Sequence, residues 1–193
     1  PSATPSPTSA PPTDTPTPVV CTELLANGGF EQVGAWVIEV NAYPAGYETA
    51  VVHSGSWAAR IGIVNPADNQ FSYSSIWQTV SVPAGVDQAT LTFWLHTLSS
   101  GARWGPPANF DLDGLDLALL TDDAQYVLVY DQANQQHTLV FQRVNAGAWQ
   151  AFQFDLTGFA GQTIRLYFGV FNNGSGGVTG MYLDDVSLRV CQE

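Results

Sequence analysis

The sequence predicts an all-β sandwich preceded by an extended tail, on three observations. From Val19 onward, short segments rich in β-branched and aromatic residues are separated by Gly, Asn, Asp or Pro. Within those segments apolar and polar residues alternate, the period of a strand with one buried face. Ahead of them, residues 1–18 (PSATPSPTSAPPTDTPTP) hold 7 Pro and 8 Ser or Thr. Proline fixes φ and supplies no N–H, so that stretch reads as a polyproline-II rod.

The chain therefore divides into a Pro/Ser/Thr-rich tail over 1–20 and one folded domain over 21–193. A tail of this composition is either a bare linker or an O-glycosylated stalk. In the second case its acceptors are Ser2, Thr4, Ser6, Thr8, Ser9, Thr13, Thr15 and Thr17. The start at Pro1, without Met or leader, is read as that of a processed chain.

The expected strands are 91–97, 115–120, 125–130, 137–144, 151–156, 163–171 and 181–190, with 125–130 and 137–144 forming a hairpin. In the first, Leu91, Phe93 and Leu95 face one way, and Thr92, Trp94 and His96 the other. In 163–171, Ile164, Leu166, Phe168 and Val170 oppose Arg165, Tyr167 and Phe171. Leu115, Leu117 and Leu119 oppose Asp116 and Ala118. Each strand is thus expected to show one core face and one mixed aromatic and polar face.

Composition excludes several roles. The chain has 5 Arg, no Lys and 17 acidic residues, a net charge of −12. A nucleic-acid binder needs cationic surface, and so does a protein that docks on anionic lipid. No apolar run approaches the ~18 residues of a membrane span. His53, His96 and His137 lie in no HExxH motif, and no GxSxG nucleophile motif or phosphate loop is present. Paired acids such as Asp122–Asp123 point apart on a strand, so the chain reads as a non-enzyme. Cys21 and Cys191 bracket the domain, which in a secreted chain suggests a disulfide joining neighbouring first and last strands; two free buried thiols are the alternative. Asn173-Gly174-Ser175 is an N-glycosylation sequon, and equally good turn chemistry.

An ordered set of segments carries a family resemblance: LLANGGFE (24–31), Trp36, HSGSWAARI (53–61), IWQTVSVPAG (76–85), LTFWLHT (91–97), AWQAFQFDLTGFAGQTIRLYFGV (148–170) and MYLDDVSL (181–188). In these the chain resembles the carbohydrate-binding-module-like jelly rolls of the xylan- and glucan-binding type, over about 24–188. The resemblance implies two antiparallel sheets in a jelly roll, a non-catalytic role and a structural Ca²⁺. The matching positions for the ion are Glu31 and Asp184, with carbonyls of Gly29 and Ser56 as further ligands; oxygen donors suit calcium. The alternative is that Glu31 caps a turn and Asp184 accepts backbone hydrogen bonds. Asp184 and Asp185, being adjacent, are expected to point to opposite faces.

Sugars stack on exposed aromatic faces. Trp36, Trp57, Trp77 and Trp149 fall in the framework of the resemblance and are expected in the core. Trp104 lies in a Gly/Pro-rich loop instead. Together with Trp94, His96, Asp116, Arg165 and Tyr167, taken as sharing one sheet face, it forms the candidate ligand or assembly surface. Two roles follow, both extracellular or cell-surface and bacterial. The leading expectation is a self-assembling, glycosylated filament or surface-layer subunit contacting copies of itself. The alternative is a carbohydrate-binding module that targets a secreted glycosidase to polysaccharide.

Overall fold

The computed structural model describes residues 19–105 and 115–192. It contains eleven strands: β1 (Val20–Glu23), β2 (Val37–Ile38), β3 (Gly46–Glu48), β4 (Ala58–Gly62), β5 (Phe71–Ser81), β6 (Gln88–Ser99), β7 (Ala124–Tyr130), β8 (Gln136–Gln142), β9 (Trp149–Asp155), β10 (Thr163–Asn173) and β11 (Thr179–Gln192). Among the described residues the only helical pieces are 3₁₀ turns at Pro66–Asp68, Leu117–Leu119 and Thr157–Phe159. All pairings between named strands are antiparallel. One sheet runs β3-β4-β11-β6-β9 with β1 also on β11, and the other runs β2-β5-β10-β7-β8. They are called sheets A and B below. This is the two-sheet, jelly-roll β-sandwich expected from the sequence.

Strand β11 is the spine of sheet A. Strand β6 lies along one edge of it; β4 and β1 share the other, β4 beside Leu183 and its predecessors, β1 beside the C-terminal end. Cys21 and Cys191 are directly opposite in that last pairing and form a disulfide across 170 residues of chain. Strand β1 starts at Val20, so pairing begins one residue inside the stretch assigned to the tail. The tail's other residues through 18, with all eight of its candidate O-glycosylation sites, lie outside the described residues.

The core follows the alternation. Leu91, Phe93 and Leu95 of β6 meet Ile164, Leu166, Phe168 and Val170 of β10 between the sheets. Phe93 stacks on Phe152 (5.3 Å, 8°) and takes Phe168 edge-on (5.2 Å, 87°). Phe168 in turn meets Trp36 (5.9 Å, 69°). These contacts bury large apolar area and fix the rings in preferred geometries. A polar tie accompanies them. Gln125, buried on β7 of sheet B, places Nε2 within 3.1 Å of the Leu98 carbonyl and 2.9 Å of the Gly180 carbonyl, both on sheet A.

Three expectations need correction. Residues 115–120 are not a strand: Asp116 Oδ1 accepts the Ala118 N–H (2.9 Å) and starts the 3₁₀ turn, and Leu119 is 75 % exposed. Asp116 caps the turn, and Leu115, Leu117 and Leu120 pack on sheet B instead of joining a ladder. Of the four framework tryptophans, only Trp36 (5 % exposed) is in the core. Trp57 is 37 % exposed, and Trp77 and Trp149 are half-buried on outer sheet faces. The adjacent acids do not diverge. A β-bulge between Asp184 and Ser187, with Asp185 at φ +49°, turns both toward one loop.

Two outcomes test this architecture. Replacing both cysteines by Ser should lower unfolding free energy by at most ~5 kcal/mol, the chain-entropy limit for so long a loop. Urea melts with and without reductant would show it, and an unchanged midpoint would mean the β1–β11 pairing holds the ends alone. Gly169→Ala should destabilise by ~1–3 kcal/mol, because the added methyl would lie 2.2 Å from Cε2 of the buried Tyr126 ring. A neutral result in the same assay would show that this ring can move.

Candidate functional site

The sandwich has two outer faces, and they are built differently. On sheet A, cross-strand register sets Arg60, Tyr182, His96 and Trp149 in one row and Asp184, Trp94 and Ala151 in the next. The loop before β4 folds over this face. His53 stacks on Trp94 (centroids 3.9 Å, 20°) and meets Trp149 edge-on (5.5 Å). Its Nδ1 lies 2.6 Å from Asp185 Oδ2, and Ser54 Oγ donates to Asp185 Oδ1 (2.7 Å). Asp184 is fully buried beneath the loop. Its Oδ2 accepts the N–H groups of His53 (2.9 Å) and Ser54 (3.1 Å), and its Oδ1 accepts that of Asp185 (2.8 Å). Burial pushes the Asp184 carboxyl above its ordinary range, against the lowering effect of those amides.

Glu31 reaches the same loop from the segment after β1. Its Oε1 accepts the N–H groups of Ser56 (2.8 Å) and Trp57 (3.0 Å). Gly29 also belongs here, since a Cβ on it would lie 3.7 Å from Asp185 Oδ1. The four residues assigned to calcium, Glu31, Asp184, Gly29 and Ser56, thus meet at one corner together with Asp185. The donors are oxygens, which suits calcium in kind. The carboxylates also cap amides, as in the alternative reading. Among the described residues, no three His, Cys, Asp or Glu side chains gather as a side-chain cage, so an ion here would draw on backbone carbonyls as well.

On sheet B the outer face is open at one end. Register places Thr79, Arg165, Tyr130 and Gln136 in a row, followed by Trp77, Tyr167 and Leu128, then Ser75, Gly169 and Tyr126. The Arg165 guanidinium carbon sits 4.6 Å from the Tyr130 ring centroid and 5.4 Å from that of Trp77, a cation–π pair on each side. Trp77 Nε1–H donates to Glu39 (2.9 Å), Tyr167 Oη–H to Ser75 Oγ (2.8 Å) and Tyr130 Oη–H to Gln136 Oε1 (3.1 Å). Burial raises the pKa of Tyr126, Tyr130 and Tyr167 above the ordinary phenol range. The result is a shelf of ring faces edged by fixed donors and acceptors, suited to a sugar's C–H faces and hydroxyls.

Beyond the shelf, residues 115–120 cross the face as a strap. Gln136 Nε2 donates to the Leu115 carbonyl (2.9 Å) and Tyr73 Oη–H to the Leu117 carbonyl (3.1 Å), so the strap runs from β8 to β5. Leu115, Leu117 and Leu120 pack on a second apolar cluster of Tyr126, Leu128, Phe141 and Phe171. On its far side is a cavity of about 390 Å³ lined by Trp104, Asp116, Leu119, Phe141 and Arg143 among others.

The candidate surface therefore divides. Trp94 and His96 lie on sheet A; Arg165, Tyr167, Asp116 and Trp104 belong to the sheet B side, and the last two line the cavity rather than the shelf. One shared sheet face is not what the structure forms. Sequence reasoning missed Trp77, Tyr130, Glu39 and Gln136. The alternation in 125–130 carried a signal for Tyr130, whereas Trp77 was assigned to the core. Asn173 closes the β10 turn: its Oδ1 accepts the Ser175 N–H (2.8 Å) and its Nδ2 donates to the Thr121 carbonyl (2.9 Å).

No protein-family model matches the chain, and no curated protein does. Solved structures do. A family 61 carbohydrate-binding module in complex with β-1,4-galactotriose superposes with a TM-score of 0.59 at 16% identity, covering 86% of this chain and 97% of that one. A family 16 module gives 0.51 at 13% identity, covering 86% and 98%. The K3 cleaved adhesin domain of Lys-gingipain from Porphyromonas gingivalis gives 0.52 at 15%, covering 88% and 99%. At these identities the likeness is one of fold, and the fold is that of the carbohydrate-binding-module-like jelly rolls.

Proposed function

We propose that the chain is a non-catalytic carbohydrate-binding module of a secreted or cell-surface protein, taking neutral polysaccharide on the outer face of sheet B. The observation that carries this reading is the shelf of Trp77, Arg165, Tyr130 and Tyr167, with Glu39 and Gln136 at its edge. Two of the three structures compared above are carbohydrate-binding modules, one of them holding a trisaccharide. The disulfide fits an oxidising compartment. Among the described residues no helix is long and apolar enough to cross a membrane. With a net charge of −12, the chain repels polyanionic glycans, which favours uncharged ones. The filament or surface-layer expectation has no comparable support in the fold or its likenesses, so the carbohydrate-binding alternative becomes the main reading.

Trp77→Ala should weaken binding to the preferred polysaccharide by at least ~10-fold, about 1.4 kcal/mol, as expected for a central aromatic contact. Trp94→Ala, on the opposite sheet, should leave it unchanged. Titration calorimetry against galactan, xylan and mixed-linkage glucan would decide. Loss with Trp94→Ala alone would move the site to sheet A.

We also propose a structural calcium ion at the Glu31–Asp184 corner. What supports it is the convergence of Glu31, Asp184 and Asp185 on one loop whose carbonyls, with that of Gly29, are further hard donors. An ion present at ~100 times its Kd adds ~2.7 kcal/mol, equivalent to ~5–10 °C in Tm for a domain of this size. Scanning calorimetry in calcium should show such a rise over chelator, and Glu31→Gln should abolish it. Superimposable curves would mean that the hydrogen bonds hold the corner unaided.

A further inference from the structure

The outermost strand of a sheet leaves half its backbone groups unpaired, a template for another chain. Most edges of this sandwich are blunted. Strands β1, β2 and β3 have four residues or fewer. Strand β8 pairs with β7 through a register shift at Val127–Leu128, and Trp104 bridges Arg143 just past its end. Strand β9 is different. It has seven residues, pairs with β6 in unbroken register and, among the described residues, has no strand on its other side. Its only charged residue is Asp155, the last one. It thus lacks the Pro, Lys and bulges that commonly guard an edge.

Alternation gives the direction of the free groups. Leu156 N–H donates to the Ala89 carbonyl (2.8 Å), so Phe154, Phe152 and Gln150 turn their backbone groups toward β6. Trp149, Ala151, Gln153 and Asp155 turn theirs outward. Gln150, Ala151, Gln153 and Asp155 are exposed, while Phe152 and Phe154 are half-buried where they stack on Phe93 (5.3 Å and 5.9 Å). The edge therefore offers backbone donors and acceptors beside aromatic surface not fully removed from water. It runs from Gly147, whose N–H donates to the Thr97 carbonyl (3.4 Å), to the Thr157–Phe159 turn.

The strand is its own complement. Two copies laid antiparallel about Phe152 set Ala151 against Gln153 of the partner subunit, and Trp149 against Asp155 of the partner subunit. All four outward residues then fall at hydrogen-bonded positions, and Phe152 meets its own copy at the closer, non-hydrogen-bonded spacing. Centring on Ala151 or Gln153 instead would leave Asp155 or Trp149 without a partner in the strand. With a net charge of −12 two copies repel at long range. The register about Phe152 keeps acids out of the centre of the joint and places the two Asp155 carboxylates at opposite ends, each beside an indole donor.

We propose that the β9 edge is an interface between two copies of this chain, which join their A sheets into one continuous sheet about a two-fold axis. That axis is perpendicular to the sheet, so the outer faces of both B sheets point the same way. The pair consumes both edges and closes, unlike a filament. Nothing in this depends on carbohydrate binding. Where that reading also holds, two shelves would meet one polymer surface together and gain from avidity.

Sedimentation equilibrium of the whole chain from ~1 µM to ~1 mM, which spans moderate to weak association, should show monomer and dimer in exchange. Added salt should tighten the dimer, because it screens the repulsion between acidic copies. In hydrogen exchange the amides of Ala151 and Gln153 should slow as concentration rises, and that of Phe152, already turned to β6, should change far less. Ala151→Glu combined with Gln153→Glu sets like charges directly across the joint and should weaken dimerisation at least ~10-fold. Mixing that variant with one carrying Ala151→Lys and Gln153→Lys should restore a heterodimer, which a misfolded variant would not do. A wild-type chain that stays monomeric throughout overturns the proposal. So does a dimer that ignores the paired Glu changes, or a species that grows beyond two copies. Polysaccharide binding by a strict monomer would remove the interface and leave the shelf, and a dimer that binds no glycan would do the reverse.

Discussion

The buried carboxylate of Asp184 is the constraint around which the rest is arranged. A fully buried acid is costly unless its oxygens are occupied, and here three backbone N–H groups occupy them, two from the loop that precedes β4. The loop is thereby drawn down across sheet A, placing His53 on Trp94 and bringing Ser56 and Trp57 to Glu31. Glu23 makes a related tie just past the β11 bulge, accepting the Leu188 N–H (2.9 Å) and the Ser187 hydroxyl. Sheet A's outer face is spent on fastening together distant parts of the chain. Sheet B's carries the 115–120 strap at one end, and the row of Trp77, Arg165 and Tyr130 lies beside it.

Much of this was legible in the sequence because alternation is a local property. The inward residues of 91–97 and 163–171 can be read from period two alone, and the core contains them. What alternation lacks is the identity of the sheet. It separates Trp94 from Phe93 and Tyr167 from Phe168, but cannot say that β6 and β10 lie in opposite sheets, so that their outward residues face away from each other across the whole sandwich. Merging Trp94, His96, Arg165 and Tyr167 into one surface followed from that missing term. The bulge at Asp184–Asp185 is a second case. One residue with positive φ cancels the strict up-down rule, and an aspartate in a run of strand residues gives little warning of it.

The 115–120 segment misled for a different reason. Its leucines alternate as in a strand, but their partners are on the surface of another sheet rather than in a ladder. Asp116 diverts the backbone into a 3₁₀ turn, and the leucines then serve as a cover for Tyr126 and Phe171. Apolar residues seeking burial satisfy that need on either side of a sheet, so periodicity predicts burial here better than it predicts secondary structure. Without the strap, sheet B's outer face would be one continuous aromatic surface; with it, Tyr126 and Phe171 are covered and the exposed row ends at Tyr130 and Gln136.

The scarcity of cations sharpens this division of labour. Three of the five arginines are committed to partners within the fold. Arg60 donates to the Gly62 (2.7 Å) and Pro44 (3.0 Å) carbonyls and lies over Tyr43. Arg143 braces Ala102, and Arg165 is held between Trp77 and Tyr130. None of the three is free as a long-range attractor, and in a chain of net charge −12 their field is overwhelmed by the acids. Under the proposed function, recognition on this scaffold would rest on contact, with ring stacking at Trp77 and Tyr130 rather than long-range attraction. Contacts of that kind are weakened little by salt, which fits the uncharged polymer proposed above.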